Sequence, residues 1–207
     1  MKNKIKLLVA EDHAVVRMGL VSLLQAENDI DIIGEARDGA EAITQAMSLS
    51  PDVILMDLQM PKADGAQATI EILKERPGTK ILILTTFGTS DGIAWALKAG
   101  ARGAILKSAD YDELVAAIRT VASGEASVSP EIQRMLRESP PVPELSPRQR
   151  QTLEAIARGL TNEEIAKMLD ISANAVKIHI TALMAKIGAA NRSEAIGIAL
   201  RKHLLKI

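Results

Sequence analysis

Residues 53–65 read VILMDLQMPKADG. Four apolar residues, Val53–Met56, run without a polar break and stop at an acid, Asp57. A proline and a glycine then turn the chain before a helical pattern starts at Ala66. A run this short, apolar at every position, reads as a strand buried on both faces. The arrangement recurs along the front of the chain. Ile5–Ala10 (IKLLVA) ends at Glu11-Asp12, Ile81–Leu84 (ILIL) at Thr85, and Gly103–Leu106 (GAIL) at Lys107, while Ile30–Ala36 supplies a fifth run. Between and after these runs, Val15–Glu27, Ala40–Leu49, Ala66–Glu75, Asp91–Ala99 and Tyr111–Ser123 carry helical spacing. Five such units predict an α/β fold with a doubly wound, five-stranded parallel sheet over residues 1–123.

In an open parallel sheet, ligands bind outside the carboxyl ends of the strands, where the strand order reverses. Glu11, Asp12, Asp57, Thr85 and Lys107 all fall at such ends. Taken singly, an Asp after a strand is often a helix cap and a Lys there a solvated charge. Jointly, in successive units of one sheet, they describe a phosphate-accepting site. Asp57 is the candidate nucleophile, since a carboxylate can take a phosphoryl group as a mixed anhydride. Glu11 and Asp12 beside it crowd negative charge and call for a cation. Hard oxygen ligands favour Mg²⁺. Lys107 supplies a positive point charge for a phosphate oxygen and Thr85 a hydroxyl donor, as phosphoryl transfer requires positioning and charge neutralisation.

The 207 residues suffice for two small domains, and 47% hydrophobic content fills ordinary cores. Aromatics are limited to Phe87, Trp95 and Tyr111, so those cores are aliphatic. Cysteine is absent, which removes disulfides and thiolate metal sites and suits a reducing cytoplasm. The lysines before Ile5–Ala10 resemble the start of a signal peptide, but the run is short and ends in two acids, as a first strand does. No stretch approaches the roughly 18 apolar residues of a membrane span, so no membrane insertion is expected. Charge is unevenly spread: residues 1–125 carry 13 Lys+Arg against 18 Asp+Glu, and residues 146–207 carry 10 against 5. An acidic front and a basic back point to different partners, with nucleic acid suggested for the second.

Residues 124–144 are rich in serine and proline and read as an interdomain linker. Ser129–Glu138 within it can form a short helix with Pro130 at its first position, and Pro140-Pro141-Val142-Pro143 reads as a stiff spacer. Residues 145–207 show helix signals only and predict a small all-α domain of four helices. Ser146…Gln149 and Thr161…Glu164 fit the capping box. Ser172 caps a helix that Gly188 stops, and Asn191 or Ser193 starts the last. Asn162–Leu169 and Ala173–Ile187, joined by Asp170-Ile171-Ser172, have helix-turn-helix spacing. On the second, Val176, Ile180, Leu183 and Ile187 form one apolar stripe. Asn174, Lys177, Ile178 and Thr181 lie about 200° away. That opposite face is free to read a major groove through phosphate, base-edge and thymine-methyl contacts; the plainer reading is an ordinary solvated face. His179 borders the core stripe and reads as a packed border residue or phosphate donor.

The motifs Val9-Ala10-Glu11-Asp12-His13, Met56–Gly65 (MDLQMPKADG), Leu84-Thr85-Thr86 and Lys98–Lys107 (KAGARGAILK) resemble those of a response-regulator receiver domain, which has a flavodoxin-like fold. The resemblance implies that Asp57 accepts phosphate from a phosphohistidine on a sensor histidine kinase. It implies Asp12, Asp57 and the backbone carbonyl of Gln59 as Mg²⁺ ligands, with Glu11 acting through water, and Thr85 and Lys107 as the phosphate-sensing pair. Two positions depart from many receivers. Ala104 stands where an aromatic often rotates inward, so that route of signal transmission is closed here, and Ser108 replaces a common proline. Residues 145–204 resemble a LuxR-type DNA-binding domain through LSPRQR (145–150), GLTNEEIA (159–166), VKIH (176–179) and NRSEA (191–195). This implies that helix 173–187 reads DNA and that Ile196, Ala199 and Leu200 on the last helix help form a homodimer. Thr181 departs from the Lys or Arg common there.

The whole chain is thus similar to two-component response regulators of the NarL/FixJ type. The expected function is transcriptional regulation, with phosphorylation of Asp57 controlling binding to double-stranded promoter DNA, and the chain a phosphoacceptor switch rather than an enzyme. Two other classes compete. An Mg²⁺-dependent phosphohydrolase would need a second Asp two residues after the nucleophile, where Gln59 stands. A small-molecule-sensing LuxR-type regulator would need an enclosed ligand cavity in its front half.

Overall fold

The computed structural model describes residues 4–86, 90–138, 145–201 and 204. They form two compact units that divide between Pro140 and Pro141. The N-terminal unit alternates strands and helices: β1 (Ile5–Ala10), α1 (Ala14–Leu24), β2 (Ile30–Ala36), α2 (Gly39–Leu49), β3 (Val53–Asp57), α3 (Gly65–Glu75), β4 (Lys80–Thr85), α4 (Ser90–Ala99), β5 (Gly103–Leu106), α5 (Tyr111–Ala122), β6 (Ser127–Val128) and α6 (Pro130–Glu138). All strand pairs are parallel, in the order β2-β1-β3-β4-β5-β6. The chain leaves β1 to one side for β2 and returns to its other side for β3. The reversal therefore opens a crevice at the carboxyl ends of β1 and β3.

Alternation along each strand divides the core. Leu8, Ile54, Met56, Ile81 and Ile83 face the layer that includes α2, α3 and α4. Leu7, Val9, Val53, Leu55, Leu82, Leu84 and Ile105 face the other layer, with α1 and α5. Both sets are wholly or almost wholly buried, which is why the centres of these strands are apolar on both faces and polar residues fall towards their ends. Aspartates start three of the helices: Asp38, Asp64 and Asp110 accept hydrogen bonds from the backbone N–H groups of Glu41, Gln67 and Glu113, each at 2.8 Å. Across the second layer, Arg119 of α5 holds Glu27 (2.6 Å) and Asp29 (2.7 Å), and the Tyr111 hydroxyl donates to Glu27 at 2.6 Å.

The sheet has six strands, not the expected five, and the linker expected at 124–144 starts too early. Ser127 N donates to Arg102 O and Ser129 N to Ala104 O, both at 3.0 Å, which adds β6 to the edge of β5. Pro130 opens α6 as anticipated, but Ile132 is fully buried in the first-layer core, and Val128, Met135 and Leu136 pack against the same core. A helix with such an apolar face gains by docking, and α6 packs against α4 and β5. The Pro-Pro-Val-Pro spacer lies outside the described residues, as do Phe87 and Lys202. Among the described residues no helix is long and apolar enough to cross a membrane.

The C-terminal unit contains α7 (Pro147–Ala157), α8 (Asn162–Leu169), α9 (Ala173–Ile187) and α10 (Arg192–Arg201). Both capping boxes form, at Ser146/Gln149 and Thr161/Glu164. Ser172 caps α9, whose end is closed by Gly188 in the left-handed region at φ +75°. Of the two candidate starts for α10, Asn191 is the cap: its Oδ1 accepts from Glu194 N at 2.9 Å. Val176, Ile180, Leu183 and Ile187 are buried, as their stripe predicts.

Candidate functional site

The crevice between β1 and β3 gathers carboxylates because each strand ends there. Glu11 follows β1, its backbone N–H bonded to Ala36 O of β2 at 3.0 Å. Asp57 closes β3, and Leu58 N continues onto Leu84 O of β4 at 3.1 Å. Both side chains are sealed from solvent. Lys107 follows β5, its backbone N–H on Thr85 O at 2.7 Å. Its ammonium lies 2.7 Å from Glu11 Oε2 and 2.9 Å from Asp57 Oδ2. One cation thus ties the ends of β1, β3 and β5 together across the sheet.

The charges do not balance. Glu11 Oε2, Asp12 Oδ1 and Asp57 Oδ2 are buried and accept no well-directed hydrogen bond, although each has a cation or ring nitrogen nearby. Gln59 N donates to the other Asp57 oxygen at 3.2 Å. Burial is the main reason that the Asp57 carboxyl is pushed above the usual range. Lys107 opposes that rise, and the Glu11 charge adds to it. Burial pulls the Lys107 ammonium down, but its contacts with Glu11 and Asp57 outweigh this and hold its pKa above the ordinary value. Donor atoms of Glu11, Asp12, His13 and Asp57 all lie within 4.8 Å of one another. Under-satisfied, hard oxygens at this spacing fit a divalent cation.

The structure brings Glu11, Asp12, Asp57 and Lys107 together as the sequence predicts. Thr85 ends β4, fully buried, with its hydroxyl donating to Thr86 O at 3.2 Å. Gln59 lies in the β3–α3 loop with an exposed side chain. Two neighbours were not anticipated. His13 turns its ring onto Asp12 (2.8 Å) and Glu11 (3.2 Å). Arg17 on α1 donates to Glu11 O at 2.7 Å and reaches Glu35 of β2. An imidazole next to two acids, and an arginine one turn into the following helix, are the signals that could have found them. Gly65 has a backbone reason to be there: a Cβ would stand 2.1 Å from Asp57 O.

In the C-terminal unit, α8 ends at Asp170 in the left-handed region (φ +52°), and Ile171-Ser172 leads into α9. Asn174, Lys177, Ile178 and Thr181 are all exposed, and Ile178 at 63% is a bare apolar residue on that face. His179 is exposed rather than packed. Arg192 fastens the start of α10 to Asn162 and to Leu160 O. Lys186 donates to Gln149 Oε1 at 3.0 Å, tying α9 to α7. On α10, Leu200 is exposed and Ile196 half-buried, but Ala199 is fully buried. Ala199 faces its own domain's core and does not offer the exposed contact expected of it.

Family models match in two places: the response regulator receiver domain at residues 7–119 and the bacterial regulatory proteins of the luxR family at residues 143–199. The transcriptional regulatory protein LiaR of Bacillus subtilis is 40% identical over 209 residues, covering 97% of this chain and 99% of LiaR. The oxygen regulatory protein NreC of Staphylococcus aureus is also 40% identical, over 215 residues, with the same coverage. Among solved structures, the response regulator ChrA of a heme-sensing two-component system is 36% identical with a TM-score of 0.58, covering 98% of this chain and 100% of ChrA. RcsB from Salmonella enterica serovar Typhimurium, bound to promoter P1flhDC with the phosphomimetic BeF3⁻, is 25% identical with a TM-score of 0.70, covering 96% and 99%. Strand order, acidic crevice, helix-turn-helix and these likenesses agree: the chain belongs to the response regulators of the NarL/FixJ type, a receiver joined to a LuxR-type DNA-binding domain in a transcriptional regulator.

Proposed function

We propose that Asp57 is the phosphoacceptor of this regulator and that its donor is a phosphohistidine on a sensor histidine kinase. The observation that carries the reading is the Lys107 ammonium shared between the buried Glu11 and Asp57 carboxylates. An Asp57 oxygen attacks phosphorus, the P–N bond to the donor imidazole breaks with its electron pair passing to nitrogen, and the ring leaves as neutral imidazole after taking a proton from solvent. Lys107 then moves its charge toward the phosphoryl oxygens, and the Thr85 hydroxyl, on the next strand, turns to donate to one of them. Mg²⁺, held by Asp12, Asp57 and the Gln59 carbonyl with Glu11 acting through water, would supply the charge neutralisation that phosphoryl transfer needs.

The output is binding of double-stranded promoter DNA in the cytoplasm. Asn174, Lys177, Ile178 and Thr181 of α9 face the major groove, and Ile196 and Leu200 of α10 contribute to a homodimer that spans paired half-sites. Phosphorylation at Asp57 shifts the chain toward this form. Labelling with acetyl phosphate and Mg²⁺ tests the assignment: wild type takes up one phosphoryl group and Asp57→Asn takes up none. Stable labelling of Asp57→Asn sinks it.

A further inference from the structure

His13 occupies the N-cap position of α1, yet its side chain does not cap that helix. The ring instead faces the acids, with Nδ1 2.8 Å from Asp12 Oδ1 and 3.2 Å from Glu11 Oε1. It is 70% exposed, so no packing forces this orientation. Together with Asp57 it completes four donor side chains, three oxygen and one nitrogen, within 4.8 Å of one another. Two of these carboxylates, Glu11 and Asp57, are sealed from solvent and present oxygens lacking a well-directed hydrogen bond. The nitrogen changes which metal the set prefers. Carboxylate and carbonyl donors suit Mg²⁺, whereas imidazole suits the later first-row ions, whose affinity rises through Co²⁺ and Ni²⁺.

We propose that His13 is an additional ligand that makes the acidic crevice a mixed nitrogen–oxygen site for late first-row divalent ions, which compete there with Mg²⁺. This rests on the reading of the crevice as a cation site and adds a selectivity that the carboxylates alone do not supply. His13 Nδ1 exchanges its contact with Asp12 for the metal, and both groups then bind the ion. Mg²⁺, which keeps several waters and dehydrates reluctantly, gains little from the imidazole.

The test titrates metal-free full-length protein with Co²⁺, Ni²⁺ and Mg²⁺, for wild type, His13→Ala and Asp57→Asn. Calorimetry gives the affinities, and the Co²⁺ visible spectrum and histidine NMR report the ligand. Loss of even an outer-shell partner costs a metal site about tenfold or more, so His13→Ala is expected to weaken Co²⁺ and Ni²⁺ at least tenfold. Mg²⁺ affinity is expected to change less than about twofold. In wild type, Co²⁺ should shift the His13 imidazole resonances and leave those of His179 in place. Unchanged Co²⁺ and Ni²⁺ affinities in His13→Ala, with the His13 resonances unmoved, overturn the proposal while leaving an oxygen-only cation site intact. Wild type that binds none of the three ions overturns the cation-site reading itself. Asp57→Asn, which should weaken all three, separates the crevice from adventitious binding elsewhere.

Discussion

Truncating Ile132 to alanine tests whether β6 and α6 are part of the receiver or a tether beside it. Ile132 is fully buried, and Val128, Met135 and Leu136, half-buried, pack against the same core. A buried Ile→Ala change costs about 2–5 kcal/mol, depending on how far the site collapses. At the sheet edge, α6 can settle onto the gap, which favours the low end, about 2–3 kcal/mol. A helix of this length does not persist alone, so the loss falls on docking of the whole segment. At about 1.4 kcal/mol per decade, the segment opens roughly 30- to 150-fold more often. Native-state hydrogen exchange should show it at the amides of Ser127 and Ser129, bonded to Arg102 O and Ala104 O. Amides within β1 and β3 should change much less. Exchange at Ser127 and Ser129 equal to wild type would refute the reasoning and return residues 124–144 to the role of a linker.

Lys107→Met leaves Glu11 and Asp57 buried without their shared cation, and removing one partner of a buried pair costs about 3–5 kcal/mol. Thermal unfolding in EDTA should show a marked loss, and Mg²⁺ should recover more stability in this variant than in wild type; equal losses with and without Mg²⁺ would break the link between lysine and metal. Glu27 is held below the ordinary carboxylate range first by the Tyr111 hydroxyl and then by Arg119. Its folded pKa is depressed, so the stabilisation is present above the ordinary glutamate value and is lost as pH falls through the folded one. Tyr111→Phe should move the Glu27 carboxyl titration, followed by ¹³C NMR, upward, and an unmoved titration would discount that hydrogen bond. Lys177→Ala should weaken promoter binding and flatten the plot of log affinity against log salt by about 0.9 if one phosphate contact is lost; an unchanged slope assigns Lys177 a role other than a phosphate contact.

What was legible in the sequence is what backbone chemistry repeats. β1, β2 and β5 match their predicted limits, because each is a short, largely apolar segment bounded by polar residues or glycine. β4 runs one residue further each way, to Lys80 and Thr85, since its neighbours continue to pair. α1 stops at Leu24 rather than Glu27; no capping residue marks that end, and helical periodicity continues past the point where the chain turns. β6 had no signal to read. Ser127–Val128 is too short to show alternation, and its pairing depends on the exposed edge of β5, which is a property of the assembled sheet. Ala199 was misplaced for a related reason: a small residue on a weakly amphipathic helix does not reveal which side faces the core.

The same distinction explains the site. Glu11, Asp57, Thr85 and Lys107 were readable because parallel topology carries strand ends to one edge, whatever the side chains between. His13 and Arg17 depend on rotamer and helix orientation, which adjacency alone does not specify. Ala104 joins the two halves of the argument. As a small residue it rules out an aromatic rotor at β5, and in the folded chain its carbonyl accepts Ser129 N while Val128 pairs beside it. β5 also leads directly to Lys107. The strand that ends beside Lys107 is therefore the one to which β6 is bonded and against which α6 packs. The edge that lacks an aromatic switch is the edge that carries the segment leading toward the DNA-binding half.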